Sequence, residues 1–169
     1  MYPTDTVWGI GCDPTNEQAV QKIYDLKRRA DSKAMLLLTD SMAKVQAYVT
    51  DVPDVVWDLV ECAEKPLTVI YPQGRNLATN LMAQDGSVGI RITNEVFSKQ
   101  LCMRFKKPIV STSANVSGQP TPAFFDEISE EIKAGVDYIV QARQDDREKK
   151  QPSSIIKFEK NGTFAIIRE

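Results

Sequence analysis

Histidine is absent from this chain of 169 residues. Without an imidazole, Ser-His-Asp and Cys-His catalysis, HExxH metal sites and most zinc chemistry are excluded. If the chain is an enzyme, it must therefore work with lysine, arginine, aspartate, hydroxyl groups, amides and the backbone.

Cysteine is scarce as well, and long apolar runs are missing. The three cysteines, Cys12, Cys62 and Cys102, are too widely spaced for a disulfide framework or a zinc knuckle, which favours reduced thiols. No stretch reaches the ~18 apolar residues that a membrane-spanning helix needs. No basic segment followed by an apolar one marks a secretory signal at the N-terminus. We therefore expect a cytoplasmic protein that does not interact with membranes.

Neither sign of charge is in large excess, because 21 basic residues stand against 23 acidic ones and the net charge is −2. A general nucleic-acid-binding surface is therefore not expected, although a local basic pocket is compatible with this balance. The length fits one domain with a sizeable core, spanning residues 1–169.

Strands and helices are predicted to alternate, which indicates an α/β fold. A capping box at Thr15–Gln18 opens the first helix. A terminal hairpin, turned through Asn161-Gly162, favours a mixed rather than a purely parallel sheet. The polar run 143–151 is predicted to be a mobile, solvated loop. The other predicted strands are 34–39, 67–71, 88–92, 108–112 and 137–142. The other predicted helices are one capped by Asp40 that ends at Tyr48, one from Pro53 to Cys62, one capped by Asn94 that ends at Phe105, and one from Phe125 to Lys133.

Basic residues cluster in "YDLKRRADSK" (24–33). Helical spacing places Lys27 on the apolar face of its helix, which is a costly position for a bare ammonium group. If the chain then becomes extended, Lys27 and Arg29 reach the same side, Arg28 points away and Lys33 follows. The segment is either a basic helix C-terminus that complements the helix dipole or a cation cluster for a polyphosphate or carboxylate.

A hydroxyl-rich stretch, "VSTSANVSG" (110–118), follows a predicted buried strand. Ser113 and Asn115 could bind an anion through neutral donors, or could form a turn that bonds to its own backbone. Ser113 is not a convincing nucleophile because no histidine can activate it. Ser111 and Thr112 are expected mainly to end the strand. The sequence contains no GxxxxGK[ST] loop.

Three further polar positions lie beside apolar segments. Thr4 and Thr6 in "YPTDTVWGIG" could line a pocket, or could belong to a hydroxyl turn at a strand end. Arg91 lies inside the apolar strand "VGIRI", where it would face either solvent or an anionic ligand.

These residues stand in stretches that resemble one known family, the YrdC-type L-threonylcarbamoyladenylate synthases. The matching stretches are "YPTDTVWGIGCD", "IYDLKRRADSKAMLLL", "PLTVIYP", "VGIRI", "KPIVSTSANVSGQPT" and "PSSIIKF", and they run nearly from end to end. The resemblance implies a single domain with a twisted mixed α/β sheet and a concave, positively charged ligand face. Family members carry a further helix and strand ahead of this region, so we expect an exposed sheet edge where the chain begins at Met1-Tyr2.

The resemblance also implies a reaction in which L-threonine, bicarbonate and ATP form threonylcarbamoyl-AMP and pyrophosphate. A separate transferase would pass the threonylcarbamoyl group to tRNA. Magnesium would be carried by the nucleotide, and weak binding to RNA or tRNA is compatible with the basic face. The implied catalytic residues are Lys27, Arg29, Ser113 and Asn115; the implied ATP-binding residues are these four with Lys33, Arg91 and Ser153; the implied threonine contacts are Thr4 and Thr6.

Two other functions stay open at this point. The same fold could serve as a double-stranded RNA or tRNA-binding module without synthase activity, or as a nucleotide-binding regulator. Under the synthase hypothesis, replacing Lys27 or Arg29 by alanine is expected to damage turnover far more than folding, because neither side chain should belong to the packed core.

Overall fold

The computed structural model describes residues 1–29, 34–159 and 162–169, so Lys33 and Asn161 lie outside the described residues. Strands and helices alternate along the chain, as the sequence predicts. The strands are β1 (Gly9–Ile10), β2 (Leu36–Thr39), β3 (Leu67–Tyr71), β4 (Val88–Ile92), β5 (Ile109–Ser113), β6 (Ser154–Phe158) and β7 (Phe164–Arg168). The helices are α1 (Glu17–Lys27), α2 (Met42–Tyr48), α3 (Asp54–Glu61), α4 (Val96–Phe105) and α5 (Glu130–Ala134), with 3₁₀ turns at Thr79–Leu81 and Phe125–Glu127.

The strands form a 7-stranded sheet in the order β1-β5-β2-β4-β3-β6-β7. Strand β2 runs parallel to β4, and β3 runs parallel to β6. The other neighbouring pairs are antiparallel, including the terminal hairpin β6–β7. The prediction of a mixed α/β sheet is therefore confirmed. Among the described residues, no helix is long and apolar enough to cross a membrane.

One face of the sheet carries the main core. Side chains alternate between the two faces of a strand, and the cross-strand register places apolar residues of neighbouring strands side by side on this face. Burial of each such side chain stabilises the fold by roughly 1.5–3 kcal/mol. The buried strand residues of this face include Leu37, Val69, Ile90, Val110 and Ile156, and they belong to one cluster with Val20, Ile23 and Tyr24 of α1, Val45 of α2 and Val56 of α3.

The opposite face is covered only in part. Helix α4 packs against it through Cys102, which forms a second buried cluster with Tyr2, Leu38 and Ile109. Farther along, polar or small residues lie on the same face. The register places Arg91 and Thr68 beside Leu38, and it places Ser111 and Gly89 beside Leu36. A cleft opens over this uncovered part of the sheet.

The segment 137–142, predicted to be a strand, has no strand in the structure. Among the described residues, its hydrogen bonds to other backbone groups are made with Met1: the Met1 ammonium donates to the carbonyl of Tyr138 at 2.7 Å, and the Val140 N–H donates to the carbonyl of Met1 at 3.0 Å. Pro3 has no N–H with which to continue such a ladder. The helix predicted for 125–133 is likewise divided into a 3₁₀ turn and the short α5.

Three predicted helix caps are wrong. Asn16 rather than Thr15 caps α1, because its side chain accepts from the Ala19 N–H while Thr15 bonds to Asp13. Ser41 rather than Asp40 occupies the cap position of α2. The carboxylate of Asp40 instead pairs with Lys44 at 2.6 Å. Glu95 rather than Asn94 caps α4 by accepting from two backbone N–H groups, because its longer side chain folds back onto the first turn.

Gly11 is needed where the chain leaves β1 against β5. A Cβ atom at this position would overlap the carbonyl oxygen of Val110 and would lie 2.7 Å from the ring of Tyr2. We expect Gly11→Ala to lower the free energy of unfolding by about 1–3 kcal/mol, as overpacked sites do. In Gly89→Ala, by contrast, the new Cβ would meet its neighbours at 3.6 Å or more. Urea unfolding of both variants checks this, and equal stability would contradict it.

Candidate ligand-binding cleft

The cleft has a volume of about 700 Å³ and lies over the half of the sheet that α4 leaves uncovered. Strands β2 to β6 form its floor, and loops from both ends of the chain form its walls. Its polar lining consists of Thr4, Thr6, Arg29, Thr68, Ser87, Arg91, Ser111, Thr112, Ser113, Thr121, Lys149, Lys150, Ser153 and Arg168.

Positive charge dominates this lining. Five of the described lining residues are basic. The described lining contains no aspartate and no glutamate. A concave surface lined by one sign of charge concentrates ligands of the opposite sign. The cleft is therefore suited to anions, even though the whole chain is slightly acidic. The basic residues are Arg29, Arg91, Lys149, Lys150 and Arg168.

Arg91 is held at the bottom of the cleft by the loop that contains Thr4 and Thr6. Its Nη2 lies 3.0 Å from Oδ1 of Asp5 and donates to Oγ1 of Thr6 at 3.3 Å. The Thr4 hydroxyl donates to the carbonyl of Val7 at 2.7 Å, and the Thr6 N–H donates to that hydroxyl at 3.1 Å. All three lining side chains are buried, so this corner of the cleft is firmly positioned.

Burial acts on both members of the Asp5–Arg91 ion pair. Desolvation lowers the pKa of Arg91, and the charge of Asp5 opposes this. Desolvation also raises the pKa of Asp5, and Arg91 opposes that in turn. Each partner thus favours the charged form of the other, which stabilises a cation at a site with little access to water.

Lys27 does not line the cleft. Its side chain is only 1% exposed, so the expectation that it lies outside the packed core is wrong. Its ammonium group donates to the backbone carbonyls of Ser113 and Asn115, and its own carbonyl accepts from the Ser117 N–H at 2.8 Å. Lys27 therefore fixes the loop that follows β5. Burial, and secondarily the charge of Arg29, lower the pKa of the Lys27 ammonium to about 8.

Arg28 and Arg29 leave the helix in different directions. Arg28 caps α1 in a left-handed conformation with φ 48, and its side chain pairs with Glu131 at 2.6 Å on the exposed side of the molecule. The reversal brings Arg29 to the cleft, where its Nη2 donates to the carbonyl of Ala34 at 2.9 Å. The predicted separation of Arg28 from Arg29 is thus confirmed.

The loop after β5 divides its polar residues between two tasks. Ser113 lines the cleft, and so do Ser111 and Thr112, which the sequence analysis expected mainly to end the strand. Asn115 shapes the loop instead, because its Nδ2 donates to the carbonyls of Val116 and Gln119. Its Oδ1 is buried and has no hydrogen-bond partner among the residues that the structure describes.

Ser153 is fixed at the far side of the cleft. Its hydroxyl lies 2.9 Å from that of Thr68, and its carbonyl accepts two hydrogen bonds from the guanidinium of Arg168. Arg168, Lys149 and Lys150 were not predicted as site residues from the sequence. The alternation of "FAIIR" could have placed Arg168 on the ligand side if the register with β6 had been known, since Arg168 pairs with Ile155.

The predicted site residues thus fall into three groups. Two of them, Lys27 and Asn115, hold the neighbouring loop, and Lys33 lies outside the described residues. The residues that the structure brings together around the cleft are Thr4, Thr6, Arg29, Arg91, Ser113 and Ser153.

Fold and cleft together define an α/β protein with a mixed sheet and a cleft lined by basic residues. The chain belongs to the Sua5_yciO_yrdC family, described as "Telomere recombination", whose family model matches residues 1–169. The family resemblance that the sequence motifs indicated is therefore confirmed.

Curated relatives support this assignment. The threonylcarbamoyl-AMP synthase of Pseudoalteromonas translucida (strain TAC 125) is 36% identical over 143 residues, which are 83% of this chain and 76% of that protein. The threonylcarbamoyl-AMP synthase of Acinetobacter baumannii (strain AYE) is 33% identical over 162 residues, which are 92% of this chain and 84% of that protein.

Solved structures share the fold. Escherichia coli YciO matches with a TM-score of 0.83 and 22% identity, over 99% of this chain and 81% of that one. P. abyssi Sua5 complexed with L-threonine matches with a TM-score of 0.80 and 22% identity, over 92% of this chain. The match spans 46% of that Sua5 chain, so this chain corresponds to about half of its length. At these identities the likeness shows the fold alone.

The depressed pKa of Lys27 predicts a dependence of stability on pH. Between pH 8 and 10.5 the unfolded lysine keeps its proton while the folded one loses it, so raising the pH relieves the cost of a buried charge. The unfolding free energy of the wild type minus that of Lys27→Met should therefore increase over this range, by up to about 3 kcal/mol. Urea unfolding at several pH values measures it, with Lys22→Met on the exposed side of α1 as the control. A difference that stays constant would contradict this account.

Proposed function

We propose that this chain is an L-threonylcarbamoyladenylate synthase, which converts L-threonine, bicarbonate and ATP to threonylcarbamoyl-AMP and pyrophosphate, with residues 1–169 acting as one domain. The observation that carries this proposal is the cleft with five basic residues in a chain 31–36% identical to proteins named threonylcarbamoyl-AMP synthase. The comparisons favour this function over a module that only binds RNA.

The chemistry of the substrates agrees with the lining. Bicarbonate, the threonine carboxylate and the nucleotide are all anions, so they repel one another when they are brought together. Fixed cations offset this repulsion and stabilise the charge that moves onto pyrophosphate as the carbamate oxygen displaces it from the α-phosphorus. The arginine guanidinium matches phosphate or carboxylate in a planar fork, which suits Arg29 and Arg91 to this task.

The roles of single residues follow from their positions. Arg29, Ser113 and Ser153 line the cleft and would contact the nucleotide, and Thr4 and Thr6 would contact threonine beside Arg91. Lys27 and Asn115 would act on catalysis by holding the loop that presents Ser113. Lys33, as an additional ATP contact, stays a prediction from the sequence.

Magnesium would arrive with the nucleotide. Among the described residues, no group of three or more histidine, cysteine, aspartate or glutamate side chains is arranged to hold a metal ion. The described lining of the cleft supplies hydroxyls and cations instead. Mg²⁺ commonly binds phosphate oxygens and keeps several waters, so the polyphosphate itself can hold it.

A second enzyme would have to use the product. Threonylcarbamoyl-AMP is a mixed anhydride whose carbonyl readily transfers to an amine, so a separate tRNA threonylcarbamoyltransferase would take the threonylcarbamoyl group. Weak binding of RNA or tRNA to the basic face, and a cytoplasmic location, stay predictions from the sequence.

Adjacent arginines provide a matched test. Arg29→Gln removes a charged contact in the cleft and should lower kcat/KM about 10- to 100-fold in an assay of pyrophosphate release that depends on threonine and bicarbonate. Arg28→Gln removes an exposed pair with side-chain exposures of 69% and 48%, so its kcat/KM should stay within about twofold of wild type.

Three results would contradict the proposal. A folded wild-type protein that releases no pyrophosphate in response to threonine and bicarbonate contradicts the synthase function. Equal effects of Arg28→Gln and Arg29→Gln contradict the assignment of the cleft. Tight RNA binding by a catalytically silent protein would favour the RNA-binding alternative.

A further inference from the structure

The segment 143–153, called the strap below, runs along the rim of the cleft without a helix or strand. Most of this segment, 143–151, is predicted from the sequence to be a mobile, solvated loop. Four of its residues line the cleft, namely Lys149, Lys150, Pro152 and Ser153. The strap is therefore a wall of the candidate site, and its attachment to the rest of the molecule decides where its charges lie.

Arg143 attaches the first end of the strap. Its guanidinium lies 2.9 Å from Oε1 of Glu95 and donates to Oδ2 of Asp146 at 2.5 and 3.2 Å. Arg143 and Glu95 are only 27% and 12% exposed, so this pair is better shielded than a typical surface pair. Arg143 also adopts a left-handed φ of 63, which is costly for any residue other than glycine or asparagine.

A second attachment reaches a different wall. Arg147 lies 2.6 Å from Oδ1 of Asp126, and its guanidinium stands 5.5 Å from the ring of Phe124. Asp126 follows closely on Thr121 and Ala123, which line the cleft. At its last residue the strap is held again, because Ser153 is bonded to Thr68 and Arg168.

The two lysines lie between these attachments. Lys149 makes no ion pair with any residue that the structure describes, and Lys150 has only Glu148 at 3.6 Å. Three other acids near the strap are engaged, because Asp146 and Glu95 pair with Arg143 and Asp126 pairs with Arg147. Asp145 forms no ion pair with any described residue and acts on Arg147 from longer range. Lys149 is thus held at the rim without an ion pair to any described residue, whereas Asp5 and Asp146 act on Lys150 from longer range.

The charges of the three proposed substrates indicate which of them these lysines would bind. Threonine carboxylate and bicarbonate each carry one negative charge, which the arginines of the cleft lining can match. A nucleoside triphosphate carries a chain of charges that extends from the reacting α-phosphate. Lysine binds phosphate as a flexible point charge and does not need a planar fork. Two adjacent lysines at the rim therefore suit the far end of a polyphosphate.

We propose that Lys149 and Lys150 bind the β- and γ-phosphates of the nucleoside triphosphate, and hence the leaving pyrophosphate, and that Arg143 positions them by fastening the strap to Glu95. This inference rests on the synthase function proposed above. It assigns to the strap the stabilisation of the charge that builds up on pyrophosphate when its bond to the α-phosphorus breaks.

Calorimetric titration of the full chain with magnesium pyrophosphate, ATP and AMP tests the lysines. In the double variant Lys149→Gln/Lys150→Gln, the affinities for pyrophosphate and ATP should fall about tenfold or more, while the affinity for AMP stays within about twofold. Lys22→Gln/Arg104→Gln removes the same amount of charge from exposed positions on α1 and on the last turn of α4, and it should leave all three affinities unchanged. An equal loss for AMP would overturn the proposal, because AMP lacks the phosphates in question.

Arg143 needs a readout that a general loss of structure would not produce. Arg143→Gln should raise the KM for ATP without changing the KM for threonine, and Arg143→Lys should restore part of the loss. Added to the double lysine variant, Arg143→Gln should weaken pyrophosphate binding no further, because it acts through the lysines. An additive effect would overturn its positioning role.

The possible failures are distinguishable. An active wild type whose double lysine variant binds pyrophosphate normally overturns the strap proposal alone. A wild type that binds pyrophosphate through the lysines but shows no reaction with threonine contradicts the synthase function and supports a polyphosphate site. A wild type that binds neither pyrophosphate nor ATP overturns both.

Discussion

The buried ammonium group of Lys27 joins the end of α1 to the loop after β5 by donating to the carbonyls of Ser113 and Asn115. Burying an ammonium group is costly unless its hydrogen bonds are satisfied, so this contact and the loop conformation depend on each other. The chain that leaves α1 contributes Arg29 to the cleft two residues after Lys27, while β5 contributes Ser113. The buried side chain of Lys27, which does not line the cleft, therefore sets the position of Arg29 relative to the hydroxyl group of Ser113.

Charge is distributed so that the cleft stays basic in a chain whose net charge is −2. Two carboxylates beside the cleft pair with arginines: Asp5 pairs with Arg91 of the lining, and Glu95 pairs with Arg143, which lies outside the lining. Each pair holds a cation or a wall in place, and neither carboxylate is among the described lining residues. The net charge counts both members of each ion pair, so they cancel. It therefore argues against a broad basic surface but cannot reveal a local basic cleft.

The central strands were predictable because their signal is local. Strands 67–71 and 88–92 have the predicted bounds, since compact apolar runs fit a sheet buried on at least one face. Segment 137–142 has the same local character but pairs with no strand among the described residues, because strand pairing depends on the path of distant parts of the chain. The same distinction applies to the site. The motifs pointed to Arg29 and Ser113, whereas Lys149 and Arg168 reach the cleft through a loop path and a strand register that no short pattern contains.

A chain without histidine can support the proposed reaction because the attacking group brings its own charge. The carbamate oxygen is already anionic when it displaces pyrophosphate, so the adenylation step needs alignment and charge stabilisation rather than a protein nucleophile. Lys27, with a pKa of about 8, would otherwise be a candidate base, but its ammonium faces backbone carbonyls and not the cleft. The rate would then depend on how rigidly cations are held. This makes Lys27 and Arg143, which position the loop and the strap, as important to the chemistry as the arginines of the cleft lining.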